Sequence, residues 1–321
     1  MDTMRAVRAH RRGGPEQLVY ESAPRPTPAE GEALVAVRAA SITSGELDWD
    51  TTWTDRVDGS GRDRTPIIPS HEVSGVVAGL GPGVGDIEVG DEVFGLVPFV
   101  RDGAAAEFVA VPVDALAVKP ATVDHEQAAA IPLPALTAWQ ALVDHGRLMT
   151  GQHLLVLGGA GGVGTFAVQI GSALGAIVTA TAAAGDAQLV FDLGATRVID
   201  YTTPGFEDRL SNVDVVFDAV GGAAQDRSWR TLRPGGVLVS IVTPPSTVEA
   251  DAHGARGVFF VVEPNRTELE SIGQLIDVGL LRPIIDRVVA LPDTPAAYTA
   301  LRDEHHRGKI VIRVGEAGSA Q

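Results

Sequence analysis

A short apolar run, a cluster of glycines and a helix-like segment follow one another and constrain the fold of this chain more than any other feature. Residues 153–176 read HLLVLGGAGGVGTFAVQIGSALGA, in which 154–157 predict a buried strand. Gly159, Gly161 and Gly164 have the G-x-G-x-x-G spacing, and apolar residues recur at helical intervals beyond them. Such a turn lets the backbone approach a pyrophosphate, whose charge the N–H groups at the helix start stabilise. The segment therefore predicts a dinucleotide-binding turn.

Composition excludes several classes of protein. The 321 residues are 45% hydrophobic and 21% charged, which is typical of a globular chain with room for two domains. The formal net charge of −16 argues against nucleic acid and anionic membranes as partners. The chain has no cysteine, which excludes disulfides and thiolate metal ligands. The sequence has no signal-like start and no 18-residue apolar run, so we expect a cytoplasmic protein.

The first 120 residues are rich in strand-like runs. Pro and Gly separate these runs, which suggests a small, partly open β-barrel. The predicted strands cover residues 4–9, 32–40, 72–80, 91–98 and 106–111. Residues 50–65 are polar and predict a long loop. The tail, from Pro283 through the apolar alternation at 309–314, is predicted to be β-like and to return to the barrel.

From about residue 121, predicted strands and helices alternate. The strands are 154–157, 176–181, 197–199, 213–218, 236–242 and 257–262, and the helices are 124–131, 136–145, 162–174, 185–193, 222–232 and 267–279. This alternation predicts an α/β fold, a parallel sheet covered by helices on both faces. The first strand-to-helix turn after 153 carries the glycine cluster, as the doubly wound Rossmann fold requires.

Further motifs occur in an order and spacing that are specific to one superfamily. They are PSHEVSGVV at 69–77, VGDEVFG at 89–95, GAAAEFV at 103–109, LPALTAWQAL at 133–142, LGATRVIDY at 193–201, VVFDAVGG at 215–222, LRPGGVLVS at 232–240 and RGKIV at 307–311. The chain resembles the medium-chain dehydrogenase/reductase superfamily, and within it the zinc-independent quinone oxidoreductase (zeta-crystallin-like) group. The resemblance implies a GroES-like barrel domain of residues 1–121 and 284–321, a Rossmann domain of residues 122–283, and an active site in the cleft between the two domains.

The lack of cysteine sets the chain apart from zinc-dependent members of this superfamily. Those proteins hold a catalytic zinc with two cysteines and the histidine of a Gly-His-Glu motif, of which this chain keeps His71 and Glu72. One histidine does not hold zinc against water, although Glu46, Asp48 and Glu72 are possible carboxylate ligands. We predict no metal. Without a Lewis acid, alcohol oxidation is disfavoured, whereas hydride addition to a conjugated carbonyl moves charge onto an oxygen that hydrogen bonds stabilise.

The strand after the glycine turn bears on the choice of cofactor. NAD-specific sites carry an acidic residue at the end of this strand, where this chain has Thr181 and Ala182. The resemblance implies that Tyr201 lies beside a 2′-phosphate, so we predict NADPH rather than NADH. The group often has a lysine that pairs with this phosphate. This chain has Asp186 near that position, and Arg197 is a candidate replacement.

The resemblance also implies a set of cofactor contacts. They are Thr137, Ala160, Gly161, Gly162, Val163, Thr181, Ala182, Tyr201, Ala219, Val220, Ile241, Val242, Thr243, Phe259, Phe260, Val261 and Lys309. Three of these predictions have alternatives. Thr137 could instead cap a helix, the two phenylalanines could belong to the sheet core, and Lys309 could bridge the domains.

The catalytic and substrate-binding candidates lie in the barrel part of the chain. Thr43 is predicted to be catalytic, because the group often has an Asn there beside the nicotinamide and a hydroxyl can also donate to a carbonyl oxygen. His71 is the second catalytic candidate, as a proton donor, with water as an alternative and a structural role as another. Ser44, Trp49 and Trp53 are predicted to contact substrate, although the two indoles could simply pack the loop.

These observations predict an NADPH-dependent oxidoreductase that transfers hydride to a quinone or an α,β-unsaturated carbonyl without a metal. The alternatives are a pathway-specific enoyl reductase of secondary metabolism, a non-catalytic NADPH-binding protein and a zinc alcohol dehydrogenase. The expected partner is a small-molecule substrate, with neither nucleic acid nor membrane, and the resemblance implies a homodimer.

Overall fold

The chain forms two units, each with its own internal contacts, in a computed structural model that describes residues 2–55, 61–203 and 205–315. The barrel unit comprises Met1–Leu133, Pro264–Val278 and Pro283–Gln321, and the Rossmann unit comprises Pro134–Glu263 and Gly279–Arg282. This division differs from the predicted domain boundaries at residues 122–133, 264–278 and 283. All of these residues group with the barrel unit.

The amino-terminal part of the chain supplies most of the barrel unit. In chain order its elements are β1 (Thr3–Ala9), β2 (Leu18–Pro24), β3 (Glu32–Ile42), α1 (Asp50–Trp53), β4 (Thr54–Asp55), β5 (Arg62–Asp63), β6 (Glu72–Leu80), β7 (Glu92–Leu96), β8 (Phe108–Pro112), β9 (Leu116–Val118) and α2 (His125–Ala129). Helix α2 begins with a capping box, in which Asp124 and Gln127 satisfy each other's backbone N–H groups. Helix α3 (Pro132–Trp139) follows and continues as a π-helical turn, Gln140–His145.

The remaining elements alternate as the sequence predicts, apart from the unpredicted helix Thr247–Ala252, and then return to the barrel unit. They are β10 (His153–Leu157), α4 (Gly162–Ala173), β11 (Ile177–Ala182), α5 (Ala187–Asp192), β12 (Arg197–Asp200), β13 (Val213–Asp218), α6 (Gly222–Ser228), β14 (Leu232–Ser240), α7 (Thr247–Ala252), β15 (Arg256–Phe259), α8 (Arg266–Asp277), β16 (Ile285–Ala290), α9 (Thr294–Asp303) and β17 (Lys309–Arg313). Within the described ranges, no helix combines the length and the apolar character needed to cross a membrane.

The sheet of the Rossmann unit has the strand order β12-β11-β10-β13-β14-β15, and all its neighbouring strands are parallel. This is the doubly wound order, with its switch point between β10 and β13. The turns after these strands lie along one carboxyl edge of the sheet, where ligands bind in folds of this type. The predicted α/β class and Rossmann sheet are confirmed.

The barrel unit is built on mainly antiparallel pairing. Its larger sheet has the order β16-β17-β3-β6-β7-β9, and β8 also pairs with β3. The β1–β2 pair is tied in by isolated bridges from Ala6 to Ala106 and from Ala9 to Ile67. The predicted GroES-like, partly open barrel is confirmed.

Each unit has its own apolar core. In the barrel unit, Val35, Val73 and Ile310 are fully buried, and in the Rossmann unit Val216 and Trp229 are. Burying one large apolar side chain stabilises a fold by about 1.5–3 kcal/mol. Each unit therefore contains enough buried apolar surface to position a polar site.

The structure differs from the sequence-based prediction mainly in short elements and in the tail. The tail is not β throughout, because helix α9 separates β16 from β17 and buries Ala297, Tyr298 and Leu301. Strands β2 and β9 were not predicted. Part of the predicted 50–65 loop forms α1, β4 and β5, and residues 56–60 of it lie outside the described residues.

Candidate active site

The glycine turn of the Rossmann unit forms between β10 and α4, as the sequence predicts. Gly158 has a left-handed φ of 86°, and the N–H of Gly159 donates to the carbonyl oxygen of Thr181 at 2.8 Å. A Cβ on Gly164 would lie 1.9 Å from the Gly158 oxygen. The first turn of α4 therefore packs directly on the strand end, and this packing requires a glycine at position 164.

Gly161, the residue before the first turn of α4, is in a different situation. A Cβ there would meet only the Gly158 oxygen, at 3.5 Å, which is an ordinary contact. Packing inside the unit therefore does not require a glycine at this position, whereas close approach of a phosphate would. Gly161, Gly162 and Val163 are partly exposed, and no side chain caps the helix. The turn fits a bound pyrophosphate at the start of the helix.

A buried polar network, which the sequence analysis missed, fixes the loop after β13. Asp218 Oδ1 accepts hydrogen bonds from the backbone N–H groups of Val220, at 3.0 Å, and Gly221, at 2.8 Å. Its Oδ2 accepts from Gln225 Nε2 and Ser240 Oγ, both at 2.9 Å. This network positions Val220, a predicted cofactor contact.

The same network holds the loop after β14. Ser240 Oγ accepts from the N–H groups of Val242, at 3.2 Å, and Thr243, at 3.4 Å, and Gln225 Nε2 donates to the Thr243 carbonyl at 3.0 Å. The sequence does carry a signal for the network. Asp218 and Ser240 are polar residues that end adjacent apolar strands.

Exposed apolar side chains cluster among the predicted cofactor contacts. They are Tyr201 (54% exposed), Val220 (51%), Val242 (44%), Phe259 (42%) and Val261 (62%). They follow or end strands β12, β13, β14 and β15, at the carboxyl edge of the sheet. Exposed apolar surface at this edge is typical of a ligand site. The exposure of Phe259 rules out the sheet-core alternative for that residue, and Phe260 packs on His145 with ring centroids 4.5 Å apart.

Several predicted cofactor contacts of the Rossmann unit are buried. Thr181 is buried, and its Oγ1 accepts from the Gly158 N–H at 3.0 Å, so it shapes the glycine turn. Ala182 is buried beside it. Thr137 lies buried inside α3, so the helix-cap alternative for this residue is wrong. Ala160 is also buried, and Ala219 and Ile241 lie in the two loops held by Asp218 and Ser240.

Arg197 stays a candidate replacement for the missing lysine. It is exposed, and the structure shows one of its five N–H donors, on Nη1, bonded to the carbonyl of Arg209 at 2.9 Å. Asp186 is buried, only 2% exposed, in a short turn after β11. Tyr201 is exposed, which leaves its ring available to a ligand.

The barrel unit assembles a second polar site, which we call the barrel polar cluster. Its members are Ser41, Thr43, Glu46, Ser70, His71, Glu72, Tyr298 and Lys309. They come from the end of β3 and the turn after it, the start of β6 and the two residues before it, helix α9 and the start of β17. All are buried except Thr43, which is half-buried.

Glu72 lies at the centre of one side of this cluster. Its Oε2 accepts from Ser41 Oγ at 2.7 Å and from Thr43 Oγ1 at 3.2 Å, and it forms an ion pair with Lys309. Its Oε1 accepts from the Leu133 N–H at 3.2 Å. Burial raises the pKa of Glu72, although the Lys309 charge and these hydrogen bonds oppose the shift.

The ammonium of Lys309 has three partners within the barrel unit. It donates to the Ile42 carbonyl at 2.8 Å, to Thr43 Oγ1 at 2.9 Å and to Glu72. An ammonium has three donors, so these contacts use all of them. The predicted cofactor contact of Lys309 is therefore corrected. The lysine holds the Thr43 hydroxyl.

Glu46 organises the other side of the cluster. Its Oε1 accepts from the Thr43 N–H at 3.0 Å and from the Tyr298 hydroxyl, and its Oε2 accepts from the Ser70 N–H at 3.2 Å. Burial and the Glu46 charge raise the pKa of Tyr298 well above its usual value. Tyr298 therefore remains a hydrogen-bond donor. Sequence reasoning did not identify Tyr298 as a site residue, and it considered Glu46 only as a possible metal ligand.

His71 is a packed residue of this cluster. It is 2% exposed, its Nδ1 lies 3.3 Å from Glu46 Oε2, and its Nε2 lies 3.2 Å from the Arg101 carbonyl. Both ring nitrogens thus face hydrogen-bond acceptors, which is the arrangement of a structural clamp. The prediction that His71 donates a proton to substrate is corrected, because burial and these two contacts leave it no access.

The donor set does not fit a zinc site. Among residues 2–55, 61–203 and 205–315, no group of three or more His, Asp or Glu side chains is arranged to hold a metal ion. The carboxylates of Glu46 and Glu72 accept hydrogen bonds on both oxygens, and both nitrogens of His71 have partners. A metal bound there would compete with these contacts.

The predicted substrate contacts separate into exposed and buried residues. Trp53 is 2% exposed and its Nε1 donates to the Leu47 carbonyl at 2.8 Å, so the predicted stacking of this indole on substrate is wrong. Trp49 is half-buried and meets the edge of Phe99, with ring centroids 5.1 Å apart. Ser44 is exposed, beside Thr43.

Family comparisons cover both units. The model described as alcohol dehydrogenase GroES-like domain matches residues 29–121, and the model described as zinc-binding dehydrogenase matches residues 193–312. NAD(P)H oxidoreductase RTN4IP1, mitochondrial, from Danio rerio is 32% identical over 285 residues, which cover 78% of this chain and 73% of that protein. NADPH-dependent alkenal/one oxidoreductase, chloroplastic, from Arabidopsis thaliana is 35% identical over 260 residues, 77% of this chain and 64% of that protein.

A solved structure agrees over the whole length of both chains. The quinone oxidoreductase from Coxiella burnetii aligns with a TM-score of 0.89 and 29% identity, covering 98% of this chain and 100% of that one. Sequence motifs, strand order and these likenesses all indicate the same relationship. The chain therefore belongs to the medium-chain dehydrogenase/reductase superfamily of oxidoreductases, in its quinone oxidoreductase-like group.

Proposed function

We propose that this protein is an NADPH-dependent reductase of quinones or α,β-unsaturated carbonyl compounds and that it works without a metal. The observation that carries the proposal is the barrel polar cluster. In it the half-buried Thr43 hydroxyl is supported by the buried Lys309 ammonium, at 2.9 Å, while the carboxylates are occupied by hydrogen bonds. Such a hydroxyl group stabilises negative charge on a carbonyl oxygen by hydrogen bonding. In zinc enzymes the metal ion stabilises this charge as a Lewis acid.

The Rossmann unit supplies the proposed cofactor site. Gly161, Gly162 and Val163 would hold the pyrophosphate, and the exposed apolar side chains along the carboxyl edge would pack on the rings. When bound, the reduced nicotinamide supplies the hydride. NADPH is favoured over NADH because Thr181 and Ala182 place no acid at the ribose position, and the Arabidopsis thaliana relative is named as NADPH-dependent.

The chain's own residues would act on the electrophile. Hydride addition to an enone or quinone moves negative charge to an oxygen, and the Thr43 hydroxyl would donate to that oxygen. A hydrogen bond that strengthens as charge develops lowers the barrier, whereas one of constant strength does not. The substrate classes follow the names of two related proteins, an alkenal/one oxidoreductase and a quinone oxidoreductase.

The proposal also covers assembly and location. We infer a homodimer that acts on a small molecule in the cytoplasm, although the Danio rerio relative is named as mitochondrial. The net charge of −16 supports the exclusion of nucleic acid and anionic membranes as partners. A monomeric mass from solution scattering, or a targeting segment found on the native protein, would contradict these inferences.

The test follows cofactor oxidation at the nicotinamide absorbance. The purified protein is given NADPH or NADH with a benzoquinone, an alkyl enone, an enoyl thioester or, as control, a saturated ketone. We expect turnover with NADPH and the quinone or enone, little with NADH, and none with the ketone. Turnover restricted to the enoyl thioester would support the enoyl reductase alternative. NADPH binding without turnover on any acceptor would support a binding protein.

The absence of a metal needs its own measurement. Elemental analysis should find no stoichiometric zinc, and incubation with a chelator should leave the turnover unchanged. Stoichiometric zinc together with loss of turnover on chelation would overturn the metal-free part of the proposal.

A further inference from the structure

We propose that Lys309 and Thr43 form a proton relay, in which Thr43 protonates the oxygen of the reduced substrate and Lys309 replaces the proton that Thr43 gives up. The inference rests on the proposed function and identifies a proton donor for it. Thr43 would be the catalytic residue, since it would touch the substrate. Lys309 acts through Thr43 and is a positioning residue and proton reservoir.

The direction of the hydrogen bond between these two residues follows from their chemistry. An ammonium has donors and no acceptor, so Lys309 Nζ donates to Thr43 Oγ1 across the 2.9 Å contact. The hydroxyl proton of Thr43 must therefore point elsewhere. The relay thus has a defined polarity, from the buried nitrogen towards the half-buried hydroxyl.

The hydroxyl proton of Thr43 is held only loosely in the absence of substrate. Its acceptor is Glu72 Oε2 at 3.2 Å, but the same oxygen also accepts from Ser41 at 2.7 Å and from Lys309. A carboxylate oxygen has about two lone-pair sites. The Thr43 contact is thus a long third donor to one oxygen, and turning it towards a substrate would sacrifice little.

The backbone of Thr43 is fixed independently of this contact. The Thr43 N–H donates to Glu46 at 3.0 Å, and Glu46 is itself held by Ser70 and Tyr298. Lys309 is anchored by the Ile42 carbonyl at 2.8 Å. Rotation of the hydroxyl therefore needs no movement of either residue's other contacts, so the donor is preorganised.

The proposed step balances in atoms and charge. The hydride delivered in the proposed reaction forms the new carbon–hydrogen bond, and the electron pair of the conjugated system moves to the carbonyl oxygen. That oxygen takes the Thr43 proton as Thr43 Oγ1 takes one from Lys309, which leaves a neutral amine and a neutral enol or hydroquinone. After product leaves, water returns a proton to Lys309 through Thr43.

Three variants test the relay with the full-length protein, NADPH and an alkyl enone. Thr43→Val removes the hydroxyl and keeps the shape, and we expect kcat to fall about a hundredfold, the lower range for general acid catalysis. Thr43→Ser should restore most of the rate. Lys309→Arg keeps a positive charge beside Thr43, but arginine does not release a proton in proteins, so kcat should fall similarly.

The controls separate catalysis from structure. Thr54→Val, at a half-buried threonine whose hydroxyl donates to the Asp50 carbonyl at 2.9 Å, should leave kcat unchanged. NADPH affinity and thermal unfolding of Thr43→Val and Lys309→Arg should stay close to those of the parent. The solvent deuterium isotope effect on kcat should change in both variants, since a purely structural role would not alter it.

The double variant Thr43→Val/Lys309→Arg provides the sharpest outcome. If two residues act in the same step, removing either one already removes their joint contribution to kcat. The double variant should therefore be no slower than Thr43→Val. Full activity of folded Lys309→Arg, or losses that multiply in the double variant, would overturn the relay. If the parent protein fails to oxidise NADPH with any of the tested acceptors, the proposed function fails. That result is distinct from failure of the relay.

Discussion

The glycine turn of the Rossmann unit and the barrel polar cluster are built in opposite ways. The turn is formed by the consecutive residues 158–164, most of them glycines, so that its backbone groups are not covered by side chains. The barrel polar cluster joins side chains that are distant in sequence, such as Thr43 and Lys309, 266 residues apart. The first type of site is damaged by added atoms and the second by lost charges. Substitutions in the two sites test this difference, and a change at Asp214, outside both sites, is expected to have the smallest effect.

The largest loss is expected from Glu46→Ala in the barrel polar cluster. This change leaves the Thr43 and Ser70 N–H groups, the Tyr298 hydroxyl and His71 without their shared buried acceptor. We expect the free energy of unfolding to fall by about 3–5 kcal/mol, measured by chemical denaturation. Asp48→Ala, at an exposed neighbouring position, is the control and should stay within about 0.5 kcal/mol of the parent. Equal losses in both variants would contradict the comparison.

Two alanine substitutions in the glycine turn should separate packing from ligand binding. Gly164→Ala places a Cβ 1.9 Å from the Gly158 oxygen, and the strain should destabilise the fold by about 1–3 kcal/mol or more. Gly161→Ala meets its nearest atom at 3.5 Å, so the unfolding free energy should hardly change. Its methyl group would occupy the path of a phosphate, and the NADPH affinity should fall about tenfold or more.

Thermal unfolding and NADPH titration of the same two proteins provide the readouts. Stability lost in Gly164→Ala but kept in Gly161→Ala, with affinity lost in Gly161→Ala, is the expected pattern. An unchanged NADPH affinity in Gly161→Ala would show that the cofactor does not approach this part of the turn.

The smallest effect is expected from Asp214→Asn, at the start of β13. Partial burial opposes ionisation, but hydrogen bonds from the His153 N–H, at 2.8 Å, and Arg233 Nε, at 2.6 Å, outweigh it and lower the pKa of Asp214. Because the pKa is lower in the folded state, ionised Asp214 stabilises the protein at pH values above its unfolded-state pKa, near 3.9. This stabilisation is lost as the pH falls through the folded-state pKa. Asp214→Asn should therefore cost about 1 kcal/mol at neutral pH.

Denaturation curves at neutral and acidic pH measure this effect. The difference between Asp214→Asn and the parent should shrink as the pH falls below about 4 and through the lowered pKa of Asp214, because protonation removes the charge of the parent carboxylate. Asp226→Asn, at an exposed position in α6, should match the parent at both pH values. A constant difference across the range would assign the effect to lost hydrogen-bond geometry and not to ionisation.

Prediction from sequence succeeded where a pattern is local. The glycine spacing located the turn between β10 and α4, and the alternation of apolar runs gave the parallel sheet, because both depend on neighbouring residues. Prediction failed for α9, whose short apolar face did not stand out from the β-like tail around it. It also failed for Trp53, since a tryptophan in a polar stretch gives no sign of whether it is buried.

The sequence by itself determined the two-part architecture, the glycine turn and the absence of thiolate ligands, because each is a property of residue identity and spacing along the chain. Only the tertiary structure decided the hydrogen-bonding partners of the barrel polar cluster. Strand pairing of β17 with β3 and of β3 with β6 brings Lys309 beside Thr43 and Glu72. Partners so far apart leave no pattern in one sequence, since long-range pairing depends on the folded sheet and its register.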